Sequence, residues 1–175
     1  MAGAKIVHKV NCTITKVLSL DGSNLNFNFG LNDGTNQLTP NGAITFGSGT
    51  GAGNVNGGPF CTPLTVPAGT TTQVNLRDGS VADIGGAAVV LSKVKYLFLS
   101  IETAGGTINF GPQGLSNAIQ LNYHGVSASD YLPITTQHVI ADPTGWVVDA
   151  SHCILGLNNP GASSVNCILV GAGEL

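Results

Sequence analysis

The chain has 175 residues, of which 42% are hydrophobic, 25 are glycine and only 9% are charged, with a net charge of −3. That length suits one domain with a real core, and the composition is not that of a disordered chain. All six basic residues (Lys5, Lys9, Lys16, Arg77, Lys93, Lys95) precede position 96, so clustered cations for nucleic acid are lacking. No apolar run reaches the ~20 residues of a membrane helix, and Met1 to Val10 lacks the apolar region of a secretory signal.

In chain order, Lys5 to Leu20 alternates, with Ile6, His8, Val10, Cys12 and Ile14 on one parity, and predicts an N-terminal strand or arm over residues 1–20. Asp21-Gly22 marks a turn, Leu25 to Phe29 a second strand, Asn32-Asp33-Gly34 another turn, and Ile44-Thr45-Phe46 a short strand. Residues 47–58 form a glycine-rich stretch with half its positions glycine. It lacks the Gly-Lys-Ser/Thr ending of a phosphate loop and no helical pattern follows it. It reads as a long surface or inter-subunit loop, removable without loss of the fold.

Leu64 to Val66 and Thr71 to Leu76 predict two strands about a Pro-Ala-Gly turn. Val81 to Gly86 reads as a connector with room for a short helical turn. Ala87 to Glu102 is the strongest element of the first half. Strict alternation sets Val94, Tyr96, Phe98 and Ser100 against Lys93, Lys95, Leu97, Leu99 and Ile101, and the run Leu97 to Ile101 suits burial on both faces. Thr107 to Phe110, Ile119 to Tyr123, Tyr131 to Ile134 and His138 to Ala141 predict further short strands. Asp142-Pro143-Thr144-Gly145 is a turn signal, followed by Trp146 to Asp149. Cys153 to Leu157 and Val165 to Val170, about Asn158-Asn159-Pro160-Gly161, read as a final antiparallel hairpin. With about ten strands and no sustained helical period, the chain is expected to be all-β, a single domain over 1–175. It is expected to form an antiparallel β-sandwich or jelly roll with long Gly/Asn-rich loops.

Catalytic chemistry is not expected. His152 and Cys153 are adjacent, so on a strand they point to opposite faces and do not form a thiol–imidazole pair; His8, His124 or His138 could partner Cys153 instead, but nothing in the spacing predicts it. Cys12, Cys61, Cys153 and Cys167 lack the local spacing of a zinc site. They allow three disulfide connectivities, and free, partly buried thiols are the simpler expectation. Glu102 and Glu174 are the only glutamates, and Asp21, Asp33, Asp78 and Asp142 sit in turn motifs that explain them. Tyr123, Tyr131 and Trp146 suit a carbohydrate shelf, although core packing is the commoner fate of Tyr and Trp. The chain is thus expected to have no catalytic, cofactor-binding or metal-ligating residues.

Pro143, Gly145-Trp146-Val147-Val148, Ala150, Ile154-Leu155-Gly156-Leu157, Asn158, Gly161 and Val165 to Gly171 follow one another in a recognisable series. Leu76 to Asp83 also precedes a strand containing Lys93-Val94-Lys95. Over residues 64 to 171 the chain resembles a group of small, mostly uncharacterised proteins encoded among the structural genes of tailed bacteriophages. The 47–58 loop and the His152-Cys153 pair depart from that group. The resemblance implies a non-enzymatic virion component made in the host cytoplasm and carried on the capsid surface. A head decoration (cement) protein fits best, a homotrimer whose partners are copies of itself and the major capsid protein. The 47–58 loop and the residues before Leu20 are then the expected lattice contacts, with help from edge-strand pairing. The alternatives are a receptor- or glycan-binding module of a tail fibre or spike, and a tail or adaptor subunit.

Overall fold

A computed structural model describes residues 9–15, 26–32, 37–38, 47–83, 85–121 and 130–175. The chain divides into two compact units, Met1–Ser48 and Gly49–Leu175. The first contains β1 (Lys9–Thr15), β2 (Asn26–Asn32), β3 (Gln37–Leu38) and the short β4 (Gly47–Ser48). Its β1, β2 and β3 pair antiparallel, with Val10, Cys12 and Ile14 opposite Leu31, Phe29 and Phe27. The strands expected after Lys5 and at Leu25 are therefore present, while Ile44 to Phe46 lies outside the described residues.

The second unit is an antiparallel β-sandwich. One sheet has the order β13-β10-β15-β6 and the other β12-β11-β14-β7. The strands are β6 (Gly57–Val66), β7 (Thr71–Asn75), β10 (Lys93–Ile101), β11 (Ile108–Phe110), β12 (Leu132–Ile134), β13 (Gln137–Val147), β14 (Ile154–Asn158) and β15 (Val165–Glu174). Counted in chain order from one to eight, the sheets read 6-3-8-1 and 5-4-7-2. Every consecutive pair except β11–β12 changes sheet. This is the strand order of a jelly roll. Two short extra strands, β8 (Val81–Ala82) and β9 (Ala88–Val89), form a ladder between β7 and β10, and β5 (Asn54–Val55) precedes β6.

The interior is filled from both sheets. Phe60, Val66, Leu97, Leu99, Ile140, Cys167 and Leu169 on one side meet Val74, Ile108, Phe110, Ile134, Leu155 and Leu157 on the other. At ~25 cal/mol per Å² of apolar surface removed from water, this layer is the main stabilising term. β10 is buried on both faces, as its uninterrupted apolar run suggested: Tyr96 and Phe98 are buried as well as Leu97 and Leu99.

Four expectations are corrected. The strands around Asn158-Asn159-Pro160-Gly161 do not pair with each other. β14 pairs with β11 and β7, and β15 with β10 and β6, so the turn arches between sheets. Buried Asn159 anchors this arch, donating from Nδ2 to the carbonyls of Val66 (2.9 Å) and Ser163 (2.8 Å) while its Oδ1 accepts the Gly161 amide. The Val81–Gly86 connector contains no helical turn among its described residues. Asp83 Oδ1 instead accepts the amides of Gly85 and Ala87, turning β8 back toward β9. Ile119 to Leu121 is not a strand, although Ala118 and Ile119 are buried against the sandwich. The rest of that predicted strand lies outside the described residues. Finally, Asp142 to Gly145 does not end a strand but bulges out of β13, and this correction leads to the site below.

Candidate functional site

Lys95 is fully buried, an uncommon fate for a lysine. Its position follows from a β-bulge. Between Val94 and Tyr96 the β10 strand has one extra residue, Lys95, against β15, where Gly173 and Ala172 pair directly with Val94 and Tyr96. Across the other edge, β13 answers with four residues, 142–145, between Ala141 (opposite Tyr96) and Trp146 (opposite Val94). A bulge re-aims side chains. Here it also reverses the parity read from strict alternation: Val94 joins Leu97 and Leu99 in the interior. Room is made by missing side chains. A Cβ on Gly145, which has φ +82°, would lie 2.7 Å from Lys95 Cγ, and one on Gly173 would lie 1.8 Å from Lys93 O.

The ammonium group thus reaches a cage of oxygens. Lys95 Nζ donates to Asn54 O (2.6 Å), to Gly51 O and to Glu174 Oε1. Three donors meet three acceptors, so the group is fully satisfied. The same Glu174 oxygen accepts the Gly51 amide at 2.9 Å, and Lys93 Nζ lies 3.4 Å from its other oxygen. The hydrogen bond from Lys95 is the main reason the Glu174 carboxyl is held below its ordinary value, against the opposing effect of burial. Residues 49–56 are consequently a strap sewn to the sandwich. The Gly53 amide donates to Pro143 O at the β13 bulge, Asn56 N to Gly173 O, and the Leu175 amide to Asn56 Oδ1. The glycine-rich loop was expected to be dispensable for the fold. It supplies two of the three oxygens around a buried charge, so its removal is not neutral.

At one end of the sandwich, three connections between strands come together. The arch 159–164 touches the β6–β7 turn through the Asn159 amide, which donates to Thr70 O. The β10–β11 turn is joined to β15 through Thr103 Oγ1, which accepts the Asn166 amide. Between the β10–β11 turn and the arch lies an open groove of ≈ 450 Å³, lined by Thr103 to Thr107 and Asn159 to Val165. Its walls are mainly glycine, alanine, serine, threonine and proline, with Asn159 and Val165 at the ends of the arch and no titratable side chain. Such a surface offers backbone groups and hydroxyls to a neighbour, and ordering it costs little side-chain entropy.

The candidates from sequence are dispersed. His152 Nδ1 contacts Asp149 Oδ1 at 3.1 Å in an exposed turn, while Cys153 is buried in the core. Asp149 also accepts the Ser151 amide, the leading reason its carboxyl is held below the ordinary value. Asp78 and Asp142 likewise bond backbone amides two residues on, as their turn motifs implied. Cys61, Cys153 and Cys167 are free thiols, the first exposed and the others buried. Burial, reinforced by Glu102, pushes the Cys167 thiol up to about 11. Among the described residues no group of three or more His, Cys, Asp or Glu is arranged to hold a metal ion. Trp146 is core and Tyr131 is half exposed, so these two do not form a common aromatic shelf. Tyr123, His8, His124, Asp21 and Asp33 lie outside the described residues, and so does the side chain of Cys12.

Compared with protein-family models, curated proteins and solved structures, the chain matches none. The Lys95–Glu174 cage was missed in the sequence. The signal was a lysine inside the apolar run Val94 to Leu99, with a glutamate ending a closing strand that is uncharged and apolar from Cys167 to Gly173.

Proposed function

We propose that the protein is a non-enzymatic virion structural component, a capsid decoration protein that bridges shell subunits as a homotrimer on the head surface. The observation that carries this reading is a jelly roll whose interior is packed with its own side chains, so that recognition falls to the outside. On the outside, three of the four sheet-edge strands carry proline: Pro59 and Pro63 on β6, Pro133 on β12 and Pro143 on β13. Proline blunts an edge against strand addition. Edge pairing, expected from the sequence, is thereby disfavoured, and the uncharged turn end with its groove is the better surface for a neighbouring subunit. Small side chains there let backbones approach closely, which favours a packed interface.

Ala162 is exposed on the groove wall. Ala162→Arg adds bulk and a charge there without touching the core. On incubation with heads lacking the protein, the wild type is expected to co-sediment and the variant to lose at least ten-fold in occupancy with an unchanged melting profile. Equal occupancy would remove the groove from the contact surface, and no binding by the wild type would remove the decoration role. The glycan-binding alternative keeps only Tyr131 of the two described aromatic candidates, with Trp146 in the core.

A further inference from the structure

Burying a charge pair is expensive. The pair stabilises a fold only when every donor and acceptor around it is used, and its best-attested roles are fixing register and switching. In this sandwich three neighbouring strands depart from regular geometry around one lysine: a one-residue bulge in β10, a four-residue bulge in β13, and glycine at 173 in β15. Two of the lysine's three acceptors belong to the strap, residues 49–56, and the third acceptor, Glu174, also takes a strap amide. The strap is the segment through which the chain passes from the first unit into β6.

We propose that Lys95 and Glu174 form an acid-sensitive latch: with Glu174 ionised the strap is closed on the sandwich, and with Glu174 neutral the strap opens while the jelly roll stays folded. Among the described residues, the charged groups around the carboxylate are few. β10 contributes Lys95 and Lys93, the strap contributes no ionisable side chain, and Asp142 of the β13 bulge is occupied by the amides of Thr144 and Gly145. Both lysines hold Glu174 in its charged form. The folded-state carboxyl therefore titrates below its ordinary value of 4.5. The closing contribution is complete above that value and is lost as pH falls through the lower, folded value. Protonation leaves the ammonium with two neutral carbonyls and no counter-charge in a buried site, which is the unfavourable half of a broken ion pair. The separation from the fold is structural: the interior layer of Leu97, Leu99, Leu155 and Leu169 contains neither member of the pair.

Amide hydrogen exchange tests this on the full chain. The reporters are the strap amides Gly51, Gly53 and Asn56, each bonded to the sandwich, and the core strand β10 from Leu97 to Leu99 is the reference. Glu174→Gln, which copies the neutral state at pH 7, is expected to speed strap exchange at least ten-fold and to leave the strap amides less protected than those of β10. Unchanged strap protection in a folded variant would overturn the latch. So would equal protection of strap and core amides in the variant, which would mean that the strap opens only when the whole fold does. Should Glu174→Gln not fold, the wild type is followed from pH 7 to pH 3, corrected for intrinsic exchange. Strap opening before core opening supports the latch, and coincident opening overturns it.

Discussion

At Gly173 the chain has room for a hydrogen and nothing larger, because a Cβ would lie 1.8 Å from the carbonyl oxygen of Lys93. Backbone cannot yield there as a side-chain tip would. Gly173→Ala is expected to destabilise the sandwich by about 3 kcal/mol, the upper range for overpacking, read as a lower urea midpoint with an unchanged slope. A loss under about 0.5 kcal/mol would mean that β15 runs differently past the bulge. Residue-scale chemistry was partly legible in the sequence. The turn aspartates Asp78 and Asp142 cap backbone amides because a short carboxylate two residues before an N–H does so almost anywhere. Lys95 was not legible, because alternation assumes one residue per pleat and a bulge breaks that count.

Among the elements, the strap shows how composition misleads. Six glycines in the twelve residues 47–58, three of them in the strap, describe a backbone with freedom to turn, not one that is idle. Positive φ at Gly49, Gly51 and Gly53 bends the segment so that two carbonyls converge on Lys95. Deleting residues 50–55 strips the buried ammonium of both, and a cost of about 3 kcal/mol follows from leaving such a group unsatisfied. Thermal and urea unfolding should show it, and a deletion variant as stable as the parent would refute the caging role. Strand existence was well marked by apolar runs between turn residues, since β10, β11, β12 and β14 fall where those runs lie. Strand pairing was not. A tight Asn-Pro-Gly turn between two apolar runs is compatible with a hairpin and with an arch between sheets. The choice was made by buried Asn159 and by the partners waiting on each sheet.

For the whole molecule, the jelly roll accounts for the composition. Both faces of β10 are buried, the apolar layer between the sheets contains no charged side chain among the described residues, and the exposed turn end is made of small neutral residues. A surface with few charges repels its neighbours weakly, which suits the proposed decoration role. The all-β class was readable from periodicity alone, whereas strand order depends on contacts far apart in sequence that no local pattern encodes. Particle decoration is the central claim, and immunogold labelling of intact source virions with antibody to this protein tests it most directly. The account predicts gold distributed over the head. Gold confined to the tail or its tip, or particles free of label, would contradict it.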